Sequence, residues 1–186
     1  AGFAFFGTSF MVLLPVLAGE IFNSGAEVFG YMNSMQGLGA IIGGVYLAKK
    51  GKVITMHKGI LGAAIVFGLG LSIVSFSSLL MITILGIVLT GFGRVVVFAS
   101  TNTLLQLLAE DSKRGRVLSL YITIFMGSMM LGGLSIGALA DYIGVLNTLR
   151  VQAVFCALIA VVYAKNLKHF DVKELDHKVT REVQKI

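Results

Sequence analysis

The sequence predicts an all-α membrane protein of six transmembrane helices. Three observations carry that expectation. Apolar residues make up 56% of the chain and charged residues 13%, against roughly 25% charge in an ordinary soluble domain. The charges are not dispersed but gather in short segments between long apolar runs, which raises mean hydropathy to +0.92. Lysine and arginine recur in every second connecting segment, as they do when successive helices cross a bilayer. The 23 glycines fit the same class, since glycine is commoner in membrane helices than in soluble ones.

A span needs about 20 apolar residues to cross about 30 Å of hydrocarbon. Charge-free stretches give the first span as residues 1–19 and the second as 28–48. Pro15 kinks or ends the first, because proline lacks the backbone donor. Residues 59–109 are too long for one helix, and Ser75, Ser77 and Ser78 supply a turn. That makes the third span 59–74 and the fourth 79–109, followed by a fifth at 117–140 and a sixth at 146–164. Arg150 lies near one end of the sixth, where it can snorkel to the interface. The chain thus divides into a six-helix bundle, 1–164, and a tail, 165–186. In the tail Val172, Leu175, Val179, Val183 and Ile186 recur at helical spacing, which suits either an amphipathic helix on the membrane face or a solvated segment.

Orientation follows from the basic residues. Lys49, Lys50, Lys52 and Lys58 follow the second span; Lys113, Arg114 and Arg116 follow the fourth; Lys165 and Lys168 follow the sixth. With six spans all three segments share one side, which the positive-inside rule makes cytoplasmic, together with the C-terminus. No basic segment precedes the first apolar run, so it does not read as a signal peptide, and a larger protein is expected to precede it.

The net charge of +6 is explained by topology and does not point to nucleic acid. Cys156 is the one cysteine, and His57, His169 and His177 have no ligand spacing, so neither a metal nor another cofactor is expected. There is no nucleotide-binding loop and no catalytic triad, so an enzyme is not expected either.

Arg94 is the sharpest functional pointer. Between Gly59 and Ala109 it is the only charged side chain, and it falls midway along the fourth span. A guanidinium at that depth must face protein, water or a ligand. Thr90, Phe98 and Thr101 share its helical face, a set suited to an anionic or polar aromatic ligand. The alternative is a structural arginine bonded to carbonyls of neighbouring helices. Asn102 with Gln106, and Asn33 with Gln36, are polar pairs that either line a cavity or tie helices together. Met126, Met129 and Met130 offer an adaptable apolar wall or plain packing. Thr8 and Ser9 read as hydroxyls bonded to their own helix. No Asp or Glu lies at mid-membrane, so proton coupling, if it occurs, needs a carboxylate outside this chain.

The second and fifth spans each carry a glycine pair at GxxxG spacing, Gly39 with Gly43 and Gly133 with Gly137. Such pairs let helix backbones approach closely. Their equivalent places, second and fifth of six, suggest an internal repeat of three helices plus three.

Several segments also carry a family resemblance. Residues 44–52 read Gly-Val-Tyr-Leu-Ala-Lys-Lys-Gly-Lys, similar to a loop motif Gly-x-Leu-Ala-Asp-Arg-x-Gly-Arg, with Ala48 where the motif has Asp. Gly44, Lys49, Gly51 and Lys52 are its matching positions. Asn102 to Gln106, the run Lys113, Arg114, Gly115, Arg116, and Gly137 to Asp141 followed by Gly144 continue the pattern in order. Over residues 1–164 the chain resembles the C-terminal half of a major facilitator superfamily transporter. It is most similar to the bacterial exporter branch of siderophore and macrolide efflux proteins and the lysophospholipid transporter. The resemblance implies a multi-pass protein of the bacterial inner membrane that moves a small molecule by alternating access. It implies a partner, the N-terminal six-helix half of the same polypeptide. It also implies that the first and fourth spans line a cavity, the second and fifth meet that partner, and the third and sixth face lipid. A non-transporting membrane subunit, or a half-size transporter that pairs with itself, remains the alternative.

Overall fold

The structure, a computed structural model, describes residues 2–22, 25–50, 56–77, 79–110 and 112–167. The expected tail helix, Gly51 and Lys52 lie outside them. Every regular element among the described residues is helical: α1 (Phe3–Ile21), α2 (Ala26–Lys50), α3 (Met56–Phe76), α4 (Leu80–Leu108), α5 (Arg114–Ile143) and α6 (Val145–Leu167). Five of these are long and apolar enough to cross a membrane. The other, α2, has the length at 25 residues, but Asn33, Ser34, Gln36 and its glycines dilute its apolarity. It runs alongside α4 from Gly39 to Gly43, which carries it through the same layer.

The helices mostly exceed the charge-free stretches by a turn or less, because flanking polar residues extend them. Thus α3 continues through Ser75 to Phe76, with the Ser75 hydroxyl donating to the Ser72 carbonyl at 2.9 Å. The α5–α6 connection is a single residue, Gly144, at φ +84°. That backbone conformation disfavours any Cβ. In the first turn of α6 the Gly144 carbonyl accepts from both the amide and the hydroxyl of Thr148, at 3.1 and 2.9 Å.

Among the described helices only α1 is irregular. It is π-helical over Phe3–Gly7, 3-10 over Thr8–Leu13, α-helical over Leu14–Val16 and π-helical again over Leu17–Ile21. Pro15 is one cause. It cannot donate to the Met11 carbonyl, and its ring would press on it. The Leu14 amide takes that carbonyl instead, which is the tighter 3-10 step. Upstream, Thr8 donates to the Ala4 carbonyl at 2.9 Å and Ser9 to that of Phe5 at 2.7 Å. Such back-bonding bends helices.

In lipid the hydrophobic effect does not draw helices together, so close backbone approach must. Helix α4 shows how. It packs against α2 on one side and α3 on the other. A Cβ on Gly91 would strike the Gln36 backbone, and one on Gly39 would strike the Val88 carbonyl. Toward α3, Gly86 and Gly70 face each other so closely that a Cβ on either would lie 2.7–2.8 Å from the other's carbonyl oxygen. On the far side α1 packs against α5 and α6. There Gly132 faces the backbone of Phe5 and the hydroxyl of Ser9. The core fills the space between with Phe10, Leu13 and Leu14 of α1, Phe67 and Leu71 of α3, and Leu149 of α6, all buried.

These contacts reveal the internal repeat. Exchanging α1–α3 with α4–α6 maps α2 on α4 into α5 on α1, α4 on α3 into α1 on α6, and α3 on α6 into itself, all of which pack together. The register is readable as well. Phe5 and Ser9, which face Gly132, stand 83 positions before Val88 and Phe92, which face Gly39. The same interval separates Met11 from Arg94, whose side chains touch. A pseudo-twofold axis therefore passes between Met11 and Arg94.

Candidate functional site

Arg94 occupies the centre of α4, fourteen residues from either end of a 29-residue helix. Its guanidinium carries five N–H donors and no acceptor. One nitrogen, Nη1, donates to the Met11 sulfur at 3.1 Å. A thioether is a weak acceptor. The Nε atom is buried with no partner. Among the described residues no carboxylate reaches the group: Lys113 holds Glu110 at 2.7 Å, and Glu20, Glu27 and Asp141 lie at helix ends. The charge is held in place with little to satisfy it.

Beside Arg94 is a cavity of about 300 Å³ bounded by α1, α4 and α5. Helix α4 contributes Arg94, Val95 and Phe98; α1 contributes Thr8. Helix α5 contributes Phe125, Met126 and Met129. Phe98 and Phe125 stand 4.8 Å apart between ring centroids, and Tyr121 lies 6.0 Å from each. The site therefore joins one cation to an aromatic and thioether wall. It can take an anionic group on the guanidinium and a flat apolar body against the rings.

Sequence-nominated residues divide on the structure. Arg94 and Phe98 line the cavity with Met126 and Met129, whereas Met130 is exposed elsewhere. Thr90 is fully buried, donates to the Ile87 carbonyl at 2.7 Å and turns its methyl toward Gly70 of α3. Four residues along a helix advance 400°, and the extra 40° turns Thr90 out of the Arg94 sector. Thr101 is half-buried and outside the lining. Gln106 donates to the Asn102 side chain at 3.4 Å near the end of α4, where Arg114 donates to the Gln106 carbonyl at 3.0 Å. Asn33 donates back to Phe29 at 3.4 Å. Gln36 is 2% exposed, and its Nε2 has no partner. Of the loop-motif residues, Gly44, Lys49, Arg114, Gly115 and Arg116 are exposed.

Of the glycines, Gly39 and Gly43 meet α4, within this chain rather than at a surface for another half. Gly133 touches Val12 of α1, and Gly137 has open space around it. A GxxxG pair announces close approach but not which helix approaches. Sequence reasoning missed Phe125 and Tyr121, whose one-turn spacing on α5 was the available signal. It also passed over Gln152, fully buried on α6, whose amide donates to the Phe6 carbonyl of α1 at 2.8 Å.

Comparison with known proteins agrees with this architecture. The profile of a family described as transmembrane secretion effector matches residues 1–185. A staphyloferrin A transporter of Staphylococcus aureus is 31% identical over 159 residues, covering 84% of this chain and 39% of that relative's length. No solved structure matches the chain.

Proposed function

The chain belongs to the transmembrane secretion effector family of the major facilitator superfamily, and on that premise we propose that it forms one six-helix half of an exporter of small organic anions. The observation that carries the reading is Arg94: a mid-span guanidinium, bonded only to a thioether among the described residues, on the wall of a cavity with aromatic sides. Arginine keeps its charge at all relevant pH, so it acts as an anion clamp and not as a proton carrier. Transport proceeds by alternating access, this half rocking against an N-terminal half about the cavity. Any coupling proton is carried by that other half. The pairing surface is the apolar outer face of α2 and α5, which exposes Ile41, Val45, Leu131 and Leu134. On α2 the open glycines Gly37 and Gly44 lie on that face. The protein sits in the bacterial inner membrane with its basic loops and C-terminus in the cytoplasm.

The test is exchange of radiolabelled isophthalate, an aromatic dianion, by the intact polypeptide in proteoliposomes. The native protein exchanges it, Arg94→Lys retains part of the rate, and Arg94→Met loses it. Exchange by Arg94→Met at the native rate would remove the clamp, and no exchange by the native protein would remove aromatic anions as the substrate class.

A further inference from the structure

Gln36 lies across the pseudo-twofold axis from a wall of the cavity. The repeat that carries Gly39 onto Gly132 carries Gln36 onto Met129, a lining residue, and Arg94 onto Met11. The cavity residue Met129 belongs to the α5–α1 contact, where its carbonyl accepts from Ser9 at 3.2 Å. Its counterpart Gln36 belongs to the α2–α4 contact, with its backbone against Gly91. Gly91 precedes Arg94 by three residues, about 4.5 Å along the helix axis. The repeat thus places an apolar side chain on one side of the axis and a carboxamide on the other.

That carboxamide is unusual in this bundle. Gln152, the other fully buried glutamine among the described residues, uses its amide nitrogen on a backbone carbonyl. Gln36 uses its nitrogen on nothing, although it is 98% buried by its 2% exposure. A buried donor left unpaired costs about 1–3 kcal/mol. The Gln36 backbone thus meets α4 three residues before Arg94, and each residue has a buried nitrogen without a partner: Nε2 of Gln36 and Nε of Arg94.

We propose that Gln36 is a specificity residue of the same site, donating to a second acceptor group on the anion that Arg94 clamps, so that the preferred ligand is a small organic dianion or hydroxy acid and not a simple monoanion. The inference rests on the clamp reading of Arg94. On this reading the anion takes the guanidinium from Met11, whose weakly accepting sulfur holds Nη1 at 3.1 Å. The carboxamide then discriminates by the number of acceptors rather than by charge alone. A site that hydrogen-bonds a polar group rejects the analogue lacking it, because its own buried donor stays unpaired.

The experiment measures affinity calorimetrically in the intact polypeptide, in detergent, for isophthalate and for benzoate, with melting temperature for each variant. The native protein should bind isophthalate about tenfold more tightly than benzoate, the effect of one added charge-assisted bond. Gln36→Met should bring isophthalate down to the benzoate value, leave benzoate unchanged, and melt no lower than native. A Gln36→Met protein that keeps the isophthalate preference would overturn the specificity role while leaving Arg94 untouched. One that weakens both ligands equally and melts lower would make Gln36 structural and overturn it too. Arg94→Met binding both at native strength would instead sink the clamp itself. Gln36→Glu gives an independent arm: a carboxylate there should repel isophthalate more than benzoate, and equal effects on both count against the proposal.

Discussion

Arg94, half-buried, and Gln152, fully buried, both lie in apolar helices, yet their removal should have opposite consequences. Gln152 satisfies the Phe6 carbonyl at 2.8 Å, in the π-helical part of α1. Gln152→Leu leaves that carbonyl without its donor, a loss of about 1–3 kcal/mol. A clear fall in melting temperature in detergent is expected. Among the described residues Arg94 holds no carbonyl, and its Nε is unpaired. Arg94→Met therefore relieves desolvation without stranding an acceptor, and its melting temperature should stay level or rise. A large fall for Arg94→Met would mean that the guanidinium supports the bundle. At this scale the sequence displayed Arg94 plainly, since a single charge in a long apolar run has few bland explanations. It put Thr90 on the Arg94 face, whereas the Thr90 methyl turns to Gly70 of α3, because the angular sector of a residue matters more than its spacing. Phe125 stayed hidden because its one-turn spacing from Tyr121 is a faint mark among so many apolar residues.

Helices in this bundle are held by backbone approach at a few glycines, so the same substitution should sort by position. Gly39→Ala and Gly132→Ala push a methyl into the Val88 carbonyl and the Phe5 backbone, respectively. Overpacking of this kind destabilises by about 1–3 kcal/mol. Gly59→Ala and Gly62→Ala, on α3, meet nothing within 4 Å and should melt like the native chain or slightly higher. If all four melt alike, close approach does not organise the bundle. Helix number and approximate limits were legible from charge-free length together with the serine turn that divides residues 59–109. Extensions such as Phe76 and Ile143 were not, because caps and one-residue turns depend on local hydrogen bonds at Ser75, Gly144 and Thr148. The GxxxG pairs were legible as packing sites. Their partner helix was not, because glycine at this spacing marks a surface without naming what lies on it.

For the molecule as a whole, the arrangement of basic loops makes a side-specific prediction. Cysteines placed at Lys49 and Ser112 should be shielded from impermeant thiol reagents in intact cells, and one at Glu27 should label. The native Cys156 is buried at 2% exposure and should give no background. External labelling at Lys49 or Ser112 would overturn the six-span orientation. The internal repeat was foreshadowed by the equivalent places of the glycine helices. Its register became readable only through the contacts of Gly39 and Gly132 with α4 and α1.

The repeat is broken at one position with mechanical weight. The interval that pairs Met11 with Arg94 pairs Pro15 with Phe98. One helix of the pair is therefore interrupted by 3-10 and π turns, and the other runs as 29 unbroken α-helical residues. Irregular turns have poorer hydrogen bonds and yield to bending more readily than a continuous ladder does. The cationic wall of the cavity is a stiff beam, and the wall facing it is the compliant one. Bending about the axis is therefore easier in α1 than in α4, a mechanical asymmetry inside an architecture built on a twofold.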